Sequence, residues 1–365
     1  MKKDSMILTR RIQLLINSKD HERVSASFKK LFEWRYACFR AANYIFTHYY
    51  LQEQIKHLIY LTEGARLKLA DITRDPDGIL ITSRLNSIRR ILVSHFKGQV
   101  PMAMLSSLLM DLTQKFNNEK SDYMTGKKVL PNYKLEMSIP FHPNYATKWA
   151  LTENSRDYIF TLFSVPFRTC LGKDLDDKKV LLDKMVSGNL KLHTSHLQLK
   201  RNKIFLLAAF EIEKEKYDLD NAVIAEASLS IDYPVIVSIG KKVYKIGSRE
   251  EFLYRRLAIQ SARQRLQKAL TYNQSGKGRS RKLKPLERFK EAESNYIGNR
   301  LHLYSKRLIQ ICIKHRAATL ILTNQADKEE MAKEDDFLLR NWSYYELKQK
   351  IAYKAERAGI MIIEE

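Results

Sequence analysis

Few residues of this sequence occur in types and spacings that could support catalysis. Cys38, Cys170 and Cys312 are isolated from one another, and without a CxxC pair or a Cys/His cluster the sequence predicts no zinc site. His193 and His196 lie close together, but no serine motif, paired cysteine or phosphate-binding glycine loop accompanies them. We interpret both histidines as surface positions on a strand. Any hydrolytic chemistry would therefore have to come from carboxylates.

Carboxylates that could hold a divalent metal stand in two places. Asp232 lies between two strand-like runs, 223–230 and 234–239, in a position typical of a turn. A consecutive acidic run, residues 334–336 (Glu334, Asp335 and Asp336), is typical of a solvated loop. Metal-dependent hydrolysis of a phosphodiester needs several hard oxygen ligands that converge from separate elements. Neither place supplies such a set by itself.

The charge balance is the strongest compositional signal. The 365 residues include 64 Lys and Arg against 41 Asp and Glu, a formal net charge of +23. Such an excess repels itself unless a polyanion neutralises it. Nucleic acid is the usual polyanion, bound through phosphate contacts with release of counterions, and a basic protein that is simply soluble is the plainer alternative. Aromatics at helical spacing, such as Tyr36, Tyr49 and Tyr50, fit a core better than a base-stacking role.

A β-leaning run and a helical region open the chain. Residues 6–17 favour a strand. In residues 20–118 the apolar side chains recur at spacings of three and four, which indicates helices. A glycine and three prolines break that pattern in residues 126–145. Because β-like runs follow, we interpret the helical region as an insert in a β domain; the runs are 158–163, 190–192 and 204–210.

A third region follows the polar linker 213–220. Three strand-like runs lie between residues 223 and 246, and helical patterns then alternate with short apolar runs to the last residue. Strands that meet in hairpins and then alternate with helices predict an α/β sheet with crossover connections. The helix expected over residues 342–358 should end at Gly359.

The densely basic segment GKGRSRKLKP, residues 276–285, separates two of these helical patterns. Its glycines and charges predict a loop, and a solvated loop without a ligand is one interpretation. In a chain this basic, a loop that contacts phosphates is the interpretation we favour.

Three segments of the last region carry a resemblance to a known family. They are EASLSIDYPVIVSI (226–239), the stretch 265–325, and NWSYYELKQKIAYKAERAGIMIIEE (341–365). Together they resemble the RuvC-like domain of the compact type V-F-like CRISPR effectors and their transposon-encoded TnpB relatives. The last segment is the most specific. Upstream, GKKVLPNYK and SIPFHPNY resemble the connection that leads from the helical insert back to the barrel in those effectors.

The resemblance implies an α+β multidomain fold. A β-barrel-like wedge domain (1–19 and 126–215) would carry a helical recognition insert (20–125). An RNase H-like, RuvC-like α/β domain (216–365) without its zinc ribbon would follow.

The same resemblance implies that the nuclease site is degenerate. Members of the family hold two metals with an Asp on the first strand, a Glu at the end of a later strand and a further Asp. Ser228 and Thr323 stand at the first two positions, and the sequence ends before the zinc ribbon and the third. We therefore expect a nuclease-dead, C-terminally truncated member without a catalytic metal. Asp232, which follows an isoleucine as the family's first Asp follows an apolar residue, is the alternative ligand.

Nuclease-dead members of the family act by binding alone. The resemblance implies a protein that requires a guide RNA, forms an R-loop on double-stranded target DNA, and regulates transcription. We favour recruitment of a sigma factor and RNA polymerase, with repression by promoter occlusion as the alternative. Two other classes stay open: an active metal-dependent nuclease that uses Asp232, and a guide-independent basic DNA-binding protein. A homodimer is compatible with the apolar helices.

We expect basic residues throughout the chain to contact nucleic acid. We expect a short stretch after the insert to recognise the flanking DNA motif. The stretch after the insert comprises Lys127, Lys128, Asn132 and Tyr133; the basic residues are Arg10, Arg11, Arg84, Arg89, Arg90, Lys200, Arg201, Lys277, Arg279, Arg281, Lys282 and Lys284. The sequence shows no signal peptide and no apolar run of about 18 residues. We therefore expect a cytoplasmic, nucleoid-associated protein without a membrane partner.

Overall fold

A computed structural model describes residues 5–58, 84–172, 176–200, 202–228, 233–271, 279–323 and 344–364. The chain forms two compact units, one of residues 7–212 and a second that contains residues 213 onward together with residues 5 and 6. Within the described ranges, no helix has both the length and the apolar character needed to cross a bilayer.

The first unit combines helices with an antiparallel sheet. Its elements are β1 (Ser5–Ile16), α1 (His21–Leu58), α2 (Arg84–Phe96), α3 (Met102–Met124), β2 (Ile139–Phe141), a 3₁₀ turn (Pro143–Tyr145), β3 (Ala146–Leu151), β4 (Tyr158–Leu162), β5 (Val165–Cys170), α4 (Asp176–Val186), β6 (Lys191–Leu192), β7 (Ser195–Lys200) and β8 (Lys203–Glu213). The eight strands form one sheet curled into a half-barrel, in the order β2-β7-β8-β1-β5-β4-β3, with β6 beside β8. The sequence therefore placed strands correctly on both sides of the helices.

Strand β1 shows why this sheet has one buried face. Leu8, Ile12 and Leu14 are buried, whereas the odd-numbered neighbours Ile7 and Leu15 are exposed. This alternation follows from the two-residue period of a strand. It also separates the adjacent residues Arg10 and Arg11 onto opposite faces.

Helices α1 and α3 complete the core of the first unit. Small residues of α1, Ala37 and Ala41, are fully buried and permit close approach of neighbouring elements. Phe46 of α1 packs edge-on against Phe116 of α3 at 5.6 Å between ring centroids, and Tyr49 stacks on the same ring at 5.2 Å. Tyr49 is thus a core residue, as the helical spacing predicts, while Tyr36 is 51% exposed.

The second unit consists of one five-stranded sheet and helices that pack against it. Its elements are β9 (Asp220–Ser228), β10 (Val235–Ile239), β11 (Lys242–Ile246), α5 (Arg249–Thr271), α6 (Arg279–Lys314), β12 (Ala317–Leu322), α7 (Tyr344–Ala358) and β13 (Met361–Glu364). The sheet order is β11-β10-β9-β12-β13. The first three strands pair antiparallel, and β9, β12 and β13 pair parallel. This is the arrangement expected of the RuvC-like domain.

The covered face of this sheet is built from small and branched side chains. Ala225 and Ala227 of β9 and Leu320 of β12 are at most 1% exposed, and they belong to one buried cluster with residues of α6 and α7. Helix α7 ends as predicted at Gly359, which has a positive φ of 75°. The backbone N–H of Ile360 reaches back to the carbonyl of Ala355 at 2.9 Å, the bond that closes a glycine-terminated helix.

The prediction that residues 276–285 form a loop is wrong from residue 279 onward. Helix α6 begins at Arg279 and contains Pro285. Arg, Lys and Leu are strong helix formers, so the residues after Gly278 continue into the helix that the apolar pattern alone indicated only from about Ile297. Pro285 removes one backbone donor without ending the helix.

Candidate functional site

Ser228 and Thr323, which we call the strand-end pair, meet at one edge of the second sheet. Ser228 is the last residue of β9, and Thr323 directly follows β12. Leu322 is in register with Ala227, and the backbone N–H of Thr323 donates to the carbonyl oxygen of Ala227 at 3.1 Å. The carboxyl ends of the two parallel strands therefore coincide, and the two positions that the family pattern assigns to metal ligands are brought together.

Among the described residues, the strand-end pair itself offers neutral groups at this edge. Both side chains of the strand-end pair are half-buried hydroxyls, and the Thr323 hydroxyl lies 3.5 Å from the carbonyl oxygen of Ala227. Glu226 is two residues earlier on β9 and is exposed. Hard divalent metals in two-metal sites are held by carboxylates, so the strand-end pair does not fit that metal centre.

In the described part of the chain, no group of three or more His, Cys, Asp or Glu side chains could hold a metal ion. Asp232 and the acidic run 334–336 lie outside the described residues. The alternative that Asp232 acts as a metal ligand therefore stays a prediction.

The other potentially reactive side chains named from the sequence lie beside carboxylates or are buried. His193 Nε2 lies 3.0 Å from Glu211 Oε2, and His196 Nε2 lies 3.5 Å from Asp111 Oδ2. Burial raises the pKa of the Cys312 thiol to about 12, which leaves it protonated at neutral pH.

Arg10 and Arg11, predicted together as nucleic-acid contacts, have different environments. The Arg10 guanidinium forms an ion pair with Asp177, and its side chain is 22% exposed. Arg11 is exposed on the other face of β1, with its guanidinium carbon 3.7 Å from the ring centroid of Phe205. Arg11 is thus the one of the two that presents its charge to solvent.

A cavity of about 560 Å³ opens beside Arg11. It brings together the predicted contacts Arg11 and Lys200 with residues that the sequence did not single out as functional; the lining residues are Arg11, Phe32, Arg35, Glu136, Gln198, Leu199 and Lys200. We call it the Arg11–Arg35 cavity. In the sequence, Phe32 and Arg35 belong to a helical pattern of α1, and nothing in that pattern relates them to β7.

The stretch predicted to read a flanking DNA motif is divided between surface and core. Lys127 and Asn132 are exposed. Lys128 pairs with Asp122 at 2.9 Å. The ring of Tyr133 packs 5.5 Å from that of Phe46, and burial raises the pKa of the Tyr133 hydroxyl to about 12.

The remaining predicted nucleic-acid contacts lie on helices or outside the residues that the structure describes. Arg89 is exposed and Arg90 half-buried on α2. Side chains at the first turns of α2 and α6 are not described, namely those of Arg84, Arg279, Arg281, Lys282 and Lys284. Arg201 and Lys277 lie outside the described residues.

Comparison with known proteins places these features in a family context. No family profile matches the chain. Over 278 residues it is 24% identical to the CRISPR-associated endodeoxyribonuclease Cas12f1 of Sulfoacidibacillus thermotolerans, in an alignment that covers 71% of this chain. The chain is homologous to Cas12f1. The same alignment covers 64% of that relative, slightly less than two thirds of its length.

Other Cas12f1 comparisons agree. A stretch of 88 residues is 34% identical to Cas12f1 of Syntrophomonas palmitatica, covering 24% of this chain and 17% of that protein. A solved Cas12f1–sgRNA–target DNA complex matches the fold with a TM-score of 0.68 at 15% identity, over 99% of this chain and 89% of the Cas12f1 chain. The predicted fold class, an α+β chain with a RuvC-like sheet, is confirmed by this match.

Proposed function

We propose that the chain is an RNA-guided DNA-binding protein that holds its target without cutting it and thereby regulates transcription. The single observation that carries the proposal is the strand-end pair. Ser228 and Thr323 occupy adjacent strand ends of a RuvC-like sheet, at the positions where the family has carboxylates.

The guided-binding part rests on similarity and charge. The chain is homologous to Cas12f1, and the matching solved structure is a complex of Cas12f1 with an sgRNA and a target DNA. A net charge of +23 suits contacts to the phosphates of a heteroduplex whose sequence is set by base pairing. Guide RNA and double-stranded DNA are therefore the proposed partners.

The loss of cutting rests on ligand chemistry. A hydroxyl in place of a carboxylate removes a negative charge from each of two positions, and hydroxyls bind Mg²⁺ far more weakly than carboxylates do. Since both positions are affected, the site lacks the charge that would hold two divalent ions near a scissile phosphate. The Cas12f1 relatives are endonucleases, so this property would distinguish the chain from them.

Regulation of transcription follows from binding without cleavage. A protein that remains on an R-loop occupies the DNA for as long as the complex persists, in the cytoplasm at the nucleoid. We propose that it recruits a sigma factor with RNA polymerase, and the same occupancy at a promoter would instead block initiation. The two outcomes differ in the sign of the change in transcription.

The experiment begins with the protein purified from its host, so that its own RNA defines the guide. Sequencing of the bound RNA should give one discrete species, and DNA matched to it should be retained in a gel-shift assay. The same complex with Mg²⁺ or Mn²⁺ should leave labelled target DNA intact. A promoter reporter carrying the target should change its output only when the guide is present.

Two results would reject parts of this proposal. Robust metal-dependent cutting that is abolished by Asp232→Ala would show an active nuclease and refute loss of cutting. Absence of any discrete RNA, with DNA binding unchanged after RNase treatment, would show a guide-independent DNA-binding protein.

A further inference from the structure

The Arg11–Arg35 cavity collects positive charge from three separate elements of the first unit. Arg11 comes from β1, Arg35 from α1 and Lys200 from the end of β7, while Glu136 is the one acidic residue among the described residues of the lining. The excess of cations over anions in a concave site favours an anionic ligand.

Arg35 is held in place but lacks a hydrogen bond that it could make. Its Nη1 donates to the carbonyl oxygen of Leu199 at 3.3 Å, and its guanidinium carbon lies 5.0 Å from the ring centroid of Phe32. Its Nε is buried and has no acceptor within the described residues. A buried guanidinium donor without an acceptor is costly, and an anion in the cavity would supply one.

Arg11 is also oriented before any ligand arrives. Its guanidinium stacks on the ring of Phe205 at 3.7 Å, a distance at which the attraction between cation and ring is strong. The stack uses the face of the guanidinium and leaves its N–H edge available. Edge N–H groups of arginine match the oxygens of a phosphate.

We propose that the Arg11–Arg35 cavity binds one nucleotide of the bound nucleic acid, with its phosphate between Arg11, Arg35 and Lys200. A volume of about 560 Å³ is sufficient for a nucleotide. Phe32 provides an apolar wall for the sugar or base, and the Gln198 amide is a polar group beside it. The inference rests on the proposed function, because that function supplies the nucleic acid.

The test compares the wild-type chain with Arg11→Gln/Lys200→Gln. The matched control is Arg23→Gln, since Arg23 is on α1 with a side chain that is 82% exposed and lies outside the cavity lining. Binding of the protein's own guide RNA, and separately of a DNA duplex of unrelated sequence, is measured against salt concentration. Removing two phosphate contacts should weaken binding about tenfold or more and lower the salt slope by about 0.7 for each contact to a single strand.

Arg35 is tested by a variant that keeps its charge. Arg35→Lys loses the planar fork of N–H donors, so it should weaken binding of the same nucleic acid. Its thermal stability should stay near that of the wild type. Ultraviolet cross-linking of the full complex, followed by mass spectrometry, should place a nucleotide on the peptide that contains Phe32 or Arg35. RNase and DNase treatment of the cross-linked sample identifies the source as guide or DNA.

The possible failures of the cavity and of the function are distinguishable. If discrete RNA co-purifies but the double variant binds both nucleic acids as Arg23→Gln does, the cavity proposal is wrong. If cross-links form only on other peptides, it is wrong as well. If no discrete RNA co-purifies, the proposed function fails first, whatever the cavity does.

Discussion

Thr323 donates its backbone N–H to the carbonyl oxygen of Ala227 at 3.1 Å, one residue beyond the register pair of Leu322 with Ala227. The bond continues the parallel ladder past the end of β12. It fixes the residue after β12 beside Ser228, the last residue of β9. Under the proposed function, these are the two places where the family pattern has carboxylates that share a metal site, and the chain has two hydroxyls there.

Carboxylates introduced at the strand-end pair should create a binding site for a divalent metal ion. In Ser228→Asp/Thr323→Glu, two negative charges at adjacent strand ends repel each other at a cost on the order of 1 kcal/mol. The variant should therefore unfold a few degrees below the wild type in EDTA. Millimolar Mn²⁺ should recover that loss, because it binds only the folded variant. Thermal melts with and without Mn²⁺ measure both effects.

The control for this experiment is Ser228→Asn/Thr323→Gln, which has similar shapes without charge. Its melting temperature should not respond to Mn²⁺. A wild-type protein that is stabilised by Mn²⁺ as strongly as the carboxylate variant would show that a metal site already exists, contrary to the proposed function.

The sequence predicted the second sheet well because its strands are apolar on the covered face and are separated by clear turns. It predicted α6 poorly, since the charged residues 279–296 show little apolar periodicity. Strand β3 and helix α4 were missed for a similar reason: only Ala146 of β3 is buried, and α4 is a short, highly charged helix. Elements that bury little leave a weak pattern in the sequence.

The candidate functional residues also differ in how far the sequence could predict them. Ser228 and Thr323 could be located because a family pattern and the strand ends point to them. The Arg11–Arg35 cavity could not, because Phe32 and Arg35 show only helical spacing, and the packing of α1 beside β7 is a tertiary feature. The sequence alone does not distinguish the neighbours Arg10 and Arg11. In the structure they lie on opposite faces of β1, where Arg10 forms an ion pair and Arg11 is exposed.

Glu293 joins α5 to α6 through a buried charge network. Its carboxylate accepts hydrogen bonds from Arg256 at 3.1 Å, Gln260 at 2.9 Å and Arg263 at 3.2 Å. Glu293→Gln removes the negative charge that Glu293 supplies to both arginines, and we expect a loss of about 3 kcal/mol in the free energy of unfolding. Urea denaturation measures the loss. Glu250→Gln, on the exposed first turn of α5, should cost less than about 1 kcal/mol, and equal effects of the two variants would contradict the network.

Gly247 has no room for a side chain. It adopts a φ of +76°, and a Cβ there would lie 2.7 Å from the buried ring of Tyr304. Gly247→Ala should therefore combine backbone strain with a steric clash and lower the free energy of unfolding by about 2–4 kcal/mol.

Gly240→Ala separates those two causes. Gly240 also has a positive φ, of 58°, but nothing lies within 4 Å of its Cβ position. Its substitution should cost only the backbone term of about 1 kcal/mol. Equal losses for the two alanine variants, measured by urea denaturation, would show that Tyr304 moves aside freely.

Lys354 makes the free energy of unfolding depend on pH in the alkaline range. Burial, assisted by the charges of Lys350 and Lys306, lowers the pKa of Lys354 from 10.5 to about 8. Its ammonium donates to the hydroxyl of Ser305 at 2.7 Å and to the backbone carbonyl oxygen of His302 at 2.5 Å, and neither acceptor carries a negative charge. Below pH 8 both the folded and the unfolded chain hold the proton, so the cost of burying the charge is fully present. Between pH 8 and 10.5 only the unfolded chain holds it, and stability from this group rises with pH.

The difference in unfolding free energy between wild type and Lys354→Met isolates the titration of Lys354 and of its neighbours Lys350 and Lys306, because groups that do not interact with Lys354 titrate equally in both proteins. That difference should move in favour of the wild type as pH increases from 8 to 10.5. Gln349→Met, a substitution without a titrating group on the exposed side of α7, should give a difference from wild type that stays constant over the same range. A constant difference for Lys354→Met as well would show that the Lys354 ammonium keeps its proton as readily in the folded chain as in the unfolded one.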